Sequence, residues 1–244
     1  MQKTVPFSLC MILLLMLTAC KDGTPEQPDV ENSEKEEIVG VSVWDRISTR
    51  SRPLRSSPRI TLLSLGESFI YLDSSAIDSS YNNTEFLKAR LSDSTVVWVY
   101  GFASVLDAKP AAMKNEVPLY LRPDLLTITA ERMNAMDIVA VVEEWDDWIK
   151  VVNEKKEKKG WIKKEHVTYD TIDLAFALLA KRNLEEEDPE QKIRNLEELL
   201  DHNPYPQTIF IPEIRQRVDR ERELLRESRD NRDRDDRDRR GRNR

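Results

Sequence analysis

The sequence predicts a mainly β chain with an α-helical C-terminus, arranged as two small barrels in tandem followed by a short helical hairpin or three-helix segment. Four landmarks recur in the same order along the first part of the chain, which points to a duplicated β unit. Beyond Tyr169 the apolar spacing changes from that of strands to that of helices. The 244 residues are 34% charged and 39% hydrophobic, with 12 Pro, so several small cores suit the composition better than one large core.

The landmarks fix the units. Arg52-Pro53-Leu54 stands 70 residues before Arg122-Pro123-Asp124, and Gly66-Glu67-Ser68 stands 70 before Met136-Asp137-Ile138. Phe86-Leu87-Lys88-Ala89 matches Trp148-Ile149-Lys150-Val151, and Trp98-Val99-Tyr100 matches Trp161-Ile162-Lys163, at a spacing of 62 or 63. The shorter spacing assigns the first copy a longer loop over residues 73–85. In the second copy, residues 138–142 form an apolar strand and Trp145-Asp146-Asp147 a turn-like break. Trp148, Lys150 and Val152 share one face of the next strand. Residues 153–159 make a polar hairpin loop before Gly160-Trp161-Ile162. Closing such strands buries a small core and leaves few free edges. The units span residues 38–106 and 107–169.

This pattern resembles the bacterial SH3 (SH3b) family, whose signature runs from an Arg-Ser/Pro loop through a Gly-Asp/Glu step to a Trp-x-Lys-Val strand and a Gly-Trp-Ile/Val strand. The second copy carries Leu121-Arg122-Pro123, Met136-Asp137, Trp148-Ile149-Lys150-Val151 and Gly160-Trp161-Ile162. In the first copy Phe86 stands in place of the Trp, and Val97 in place of the Gly before Trp98. The resemblance implies tandem SH3-like domains acting as a non-catalytic module, of the kind credited with binding peptidoglycan or its peptide stems. An aromatic groove would bind by stacking, with Tyr120, Trp145, Trp148 and Trp161 as the candidate ligand contacts. For Trp161 and Ile162 burial in the core is the stronger expectation. For Trp145, in a turn beside two Asp residues, ligand contact weighs equally with a structural role.

The N-terminus carries an address. Lys3 followed by a short apolar run over residues 5–17 reads as a signal peptide over residues 1–19. The run is too short to span a bilayer of about 30 Å. Leu17-Thr18-Ala19-Cys20 resembles the lipobox of bacterial lipoproteins, which makes Cys20 the lipidated first residue of the mature chain, its palmitate-type acyl chains anchoring it to the bacterial membrane. Residues 20–37, rich in Pro, Asp, Glu, Ser and Asn, read as a disordered tether. Lys21 rather than Asp after the Cys favours the outer membrane, facing the periplasm.

Residues 170–228 read as helices. Asp170 or Thr171 caps a first helix with Ile172, Phe176 and Leu179 on one face. Asp188, Pro189 and Gln191 form a capping box before Ile193, Leu196, Leu199 and Leu200, and His202-Asn203-Pro204 ends that helix. A third segment from Thr208 carries Ile211, Ile214, Val218 and Leu225 on a stripe. Residues 229–244, eight Arg and five Asp among them, contain no apolar anchor and read as disordered or as a frayed continuation of the third helix.

The same residues weigh against other functions. Net charge is −7, which disfavours nucleic acid as a partner. With 2 Cys and 2 His, no cysteine-ligated metal site or cofactor is expected. His166 and His202 have no nucleophilic Cys beside them, no Gly-x-Ser-x-Gly or His-Glu-x-x-His motif is present, and the carboxylate pairs Glu143-Glu144 and Asp146-Asp147 read as solvated faces, so no catalytic residue is assigned. The sequence therefore reads as an anchored envelope lipoprotein that binds peptidoglycan or another envelope ligand. The second reading is a scaffold whose helices recruit an envelope protein while the barrels act as spacers.

Overall fold

A computed structural model describes residues 37–242, with side chains through residue 231. The expected signal peptide, Cys20 and nearly all of the expected tether lie outside the described residues. The described chain is mostly β, with three helices at its C-terminal end.

The first sheet takes β1 (Val39–Ser42), β2 (Ile47–Arg50), β3 (Arg59–Leu63), β4 (Ser68–Asp78), β5 (Thr84–Arg90), β6 (Val96–Tyr100) and β7 (Ser104–Leu106). The second takes β8 (Lys109–Met113), β9 (Val117–Tyr120), β10 (Ile128–Met133), β11 (Ile138–Trp145), β12 (Trp148–Val152), β13 (Lys159–Lys163) and β14 (Val167–Thr168). Both are antiparallel. The strand orders are β3-β2-β6-β5-β4-β1-β7 and β10-β9-β13-β12-β11-β8-β14, the same path twice. Strand pairing leaves two edges in each sheet, β3 and β7 in one, β10 and β14 in the other.

The duplication reaches individual bonds. Trp98 pairs with Lys88 and Trp161 with Lys150, so the two Trp occupy one register position. Each Arg-Pro loop is closed by a hydroxyl five residues on: Arg52 N–H donates to Ser57 Oγ at 3.4 Å and Arg122 N–H to Thr127 Oγ1 at 3.1 Å. Each Gly-Glu or Met-Asp step is a turn in which the acid accepts from the residue three before it, Ser64 N–H to Glu67 at 2.9 Å and Asn134 N–H to Asp137 at 2.8 Å. Both turns need a left-handed residue. Gly66 supplies it at φ +79°, whereas Met136 is held there at φ +67°.

The departures of the first copy are exchanges. Val97 replaces Gly, but its cross-strand partner is Ala89; Gly160 faces Val151. Large and small trade sides, which keeps the volume between the strands to within one methyl. At Gly160 a Cβ would stand 3.0 Å from Leu119 Cβ, so this copy needs the glycine.

The expected loop over residues 73–85 is instead a hairpin: β4 continues to Asp78, and only residues 79–83 turn before β5. The polar backbone of the insertion satisfies itself by pairing rather than by solvent. At the other hairpin, the turn is Asp146-Asp147 with Asp146 at φ +53°, and Trp145 is the last residue of β11, paired with Trp148.

Alternation places each core. Leu87, Ala89, Val97 and Val99 point into the first, Ile149, Val151 and Ile162 into the second. A seam between the sheets gathers Val41, Val43, Ala108 and Ala140.

The helices are α1 (Thr171–Leu184), α2 (Pro189–Asp201) and α3 (Ile211–Arg242). Asp170 caps α1 by accepting from Ile172 N–H at 2.8 Å. Asp188 caps α2, but the capping box does not close. Gln191 bonds Asn195 at 2.6 Å, and Glu186 accepts from Asp188 N–H at 3.2 Å in its stead. Helix α3 continues to Arg242, along the continuation that was one of the two readings of the tail. Arg is a good helix former, and after Pro212 in the first turn no Gly or Pro interrupts before Gly241. Phe176, Leu196, Ile214 and Val218 share one core with Leu65 of the first copy and Met136 and Ile138 of the second. The helical apolar stripe is therefore packed against both copies.

Candidate ligand-binding surface

Strand parity leaves one face of each sheet turned away from its core. In the second copy that face carries Tyr120, Trp148, Lys150, Trp161 and Lys163. At the same register positions the first copy carries Arg50, Phe86, Lys88, Trp98 and Tyr100. Each strip is three aromatics and two cations. Arg50 and Tyr100 in one copy stand where Tyr120 and Lys163 stand in the other, so aromatic and cation have changed places across the strip.

Contacts reflect that exchange. Tyr120 meets Trp148 edge-on at 5.1 Å between ring centroids. Lys163 Nζ lies 4.1 Å above the Trp148 ring, and Lys150 Nζ 5.3 Å above Trp161. Lys163 also pairs with Asp147 at the hairpin tip and holds that carboxyl below the usual aspartate range. In the first copy Phe86 and Tyr100 stack at 4.6 Å, and Arg50 Nε donates to Tyr100 Oη at 3.2 Å. The cluster continues outward, Tyr100 to Phe102 at 5.2 Å and Phe102 to Trp44 at 5.4 Å.

The four aromatics expected from the sequence separate into two groups. Tyr120, Trp148 and Trp161 come together on one face, and the two Trp are 5% and 6% exposed. Trp148 is thus largely covered rather than a free contact. Trp161 is buried, as expected, but on the face opposite Ile162 and outside the apolar core. Trp145 stands at the strip's end and is 66% exposed. Sequence reasoning missed the first copy's cluster of Trp44, Phe86, Trp98, Tyr100 and Phe102, of which Phe102 is 48% exposed. The alternation Phe86-x-Lys88 opposite Trp98-x-Tyr100 was the signal that could have found it.

Chemically, each strip is a row of largely covered aromatics, Phe86 and Tyr100 or Trp148 and Trp161, that ends in an exposed ring, Phe102 or Trp145; along the second strip Lys150 and Lys163 are held in ion pairs with Glu143 and Asp147. Such a surface stacks on an apolar ring face or side chain and pairs with carboxylates. Among the described residues no three His, Cys, Asp or Glu are grouped to hold a metal.

No family model matches the chain, and no curated protein matches it. Solved structures similar to it include NlpC2 from Trichomonas vaginalis, 14% identical over 66% of this chain and 54% of that one, with a TM-score of 0.24. NlpC1 from the same organism is 14% identical over 60% and 53%, with a TM-score of 0.25. The endolysin LysPBC5 CBD is 14% identical over 54% of this chain and 93% of that one, with a TM-score of 0.22. This chain thus spans about half the length of the two NlpC proteins. Likeness at this level bears on no assignment, and the functional reading rests on the chain's own residues.

Proposed function

We propose that the protein is a non-catalytic binding module of the bacterial cell envelope, that its two sheets are SH3-like small barrels, and that their outward strips hold peptidoglycan or a chemically similar polymer. The observation that carries this reading is the repetition of three aromatics and two cations at the same register positions on the outward faces of both sheets. Peptidoglycan combines sugar rings, which stack on aromatics, with stem carboxylates, which pair with Lys and Arg. Two sites on one chain let a repeating polymer engage both, raising avidity without stronger single contacts.

In the same reading Cys20 is lipidated, the chain is anchored to the outer membrane facing the periplasm, and residues 20–37 give it reach. The scaffold reading, in which the helices recruit an envelope protein, is disfavoured because Phe176, Leu196, Ile214 and Val218 are already committed to the protein's own core.

Pull-down on purified sacculi compared with pull-down on envelope protein extract separates the two. Retention on sacculi is expected, and retention by protein extract alone would replace the polymer with a protein partner. Fractionation with lipid labelling of wild type and Cys20→Ser tests the address. Label and membrane association are both expected to disappear in the variant.

A further inference from the structure

A cavity of about 290 Å³ lies where the two β copies meet α1 and α3, away from both aromatic strips. Its apolar wall is Leu65, Met136, Ile138, Ala177 and Leu184. That is room for a small ligand.

Its charges are uneven. Asp137, Glu154, Glu157 and Glu185 face it against Lys181 and Arg217. Both cations are already engaged. Lys181 pairs with Glu154 at 3.0 Å and with Glu185, while Arg217 bonds Glu213 at 2.8 Å and the Ala135 carbonyl at 2.9 Å. Among the described residues neither Asp137 nor Glu157 belongs to an ion pair. Among the described residues the Asp137 carboxyl accepts only from the Asn134 turn, from its N–H at 2.8 Å and its side-chain amide at 3.4 Å. Burial lifts its carboxyl above the usual range despite that turn and the more distant Lys158 and Arg217.

In the first copy Glu67 makes the same turn bond, at 2.9 Å, and does not line the cavity. The neighbouring Met136, at φ +67° as the turn requires, forms part of the cavity wall. A neutral apolar ligand would leave Asp137 without compensation, and an anion would meet two unpaired carboxylates.

We infer that this cavity is a binding site for a primary alkylammonium group, whether of a free diamine or of a lysine-type side chain. Its stem lies on Leu65, Met136 and Ile138, and its ammonium bonds Asp137 and Glu157. The site is independent of the aromatic strips.

Isothermal titration of the full chain tests it with three probes at up to about 10 mM: 1,5-diaminopentane, Nα-acetyl-lysine amide and, as the anionic probe, pentanoate. Binding of one or both amines without pentanoate is expected, and the tighter amine assigns the source as free diamine or peptide side chain. Asp137→Asn should weaken amine binding about tenfold or more while its melting temperature does not fall. Glu157→Gln, at an exposed position, should weaken it severalfold. No binding of either amine, equal binding of pentanoate, or unchanged amine binding in the Asp137→Asn/Glu157→Gln double variant would overturn the assignment. Sacculus retention is read separately, so failure here leaves the strips' role intact.

Discussion

Arg182 clamps Asp45 through two hydrogen bonds, Nη2 to Oδ1 at 2.9 Å and Nε to Oδ2 at 3.0 Å, across 137 residues of chain. The pair ties α1 to the segment between β1 and β2, and Leu65 N–H adds a third bond to Asp45 at 3.2 Å. Burial pushes the Asp45 carboxyl up, but these donors outweigh it and leave it below its ordinary value. A depressed carboxylate contributes stability that is present above its unfolded pKa, about 4, and is lost as pH falls through the lower folded value. Arg182→Met should cost about 1–2 kcal/mol at pH 7. The difference from wild type should shrink in urea melts as the pH drops below about 4.

Asp173 is a buried acceptor shared by three donors: Thr168 Oγ1 at 2.8 Å, Thr208 Oγ1 at 2.8 Å and Ile209 N–H at 3.0 Å. It joins β14, α1 and the start of α3. Asp173→Ala strands the buried Thr208 hydroxyl and leaves the part-buried Thr168 and Ile209 donors to water, and should cost about 1–3 kcal/mol. Hydrogen exchange should show residues around 208–218 losing protection first.

Gly66 and Met136 test the paired turns in opposite directions. A Cβ at Gly66 would take on the left-handed penalty and stand 2.8 Å from Ile138 Cγ2, so Gly66→Ala should destabilise by about 2–4 kcal/mol. Met136→Gly relieves about 1 kcal/mol of strain. It also removes a buried side chain worth about 2–5 kcal/mol, and that loss wins. Both variants should melt below wild type.

Asp137 carries the opposite sign from Asp45. Its folded pKa is raised by burial, so its contribution is most favourable below the unfolded value and is lost as pH rises through the folded one. At pH 7 the charged carboxylate therefore costs stability. Asp137→Asn keeps an acceptor for Asn134 N–H and should raise the melting temperature at pH 7, the gain closing toward about pH 4.

The repeat was legible because its landmarks are constrained residues. Trp98 and Trp161, and Gly66-Glu67 and Met136-Asp137, sit at matching positions in both sheets. The helical stripe was equally plain, since Phe176, Ile193, Leu196, Ile214 and Val218 all face one core. What escaped was compensation between distant residues. Val97 looked like a lost glycine until Ala89 was seen across from it. Phe86 looked like a weakened Trp until Tyr100 and Arg50 completed the strip. The capping box failed because Glu186, just ahead of the cap, competes for the Asp188 N–H. The cavity was illegible in principle, being lined from Leu65 to Arg217 by residues that only the packing of α1 and α3 brings together.

The aromatic strips end in Trp145 and Phe102, two rings that are 66% and 48% exposed. The decisive measurement is retention on purified sacculi by wild type, Trp145→Ala, Phe102→Ala and the double variant, with melting temperatures taken alongside. Each single change should weaken retention severalfold and the double change should abolish it, at about 1–3 kcal/mol per lost stacking contact, with melting unchanged for Trp145→Ala and lowered only slightly for Phe102→Ala, which loses its ring contacts to Trp44 and Tyr100. A double variant that stays folded and is retained as well as wild type would contradict the role given to the strips.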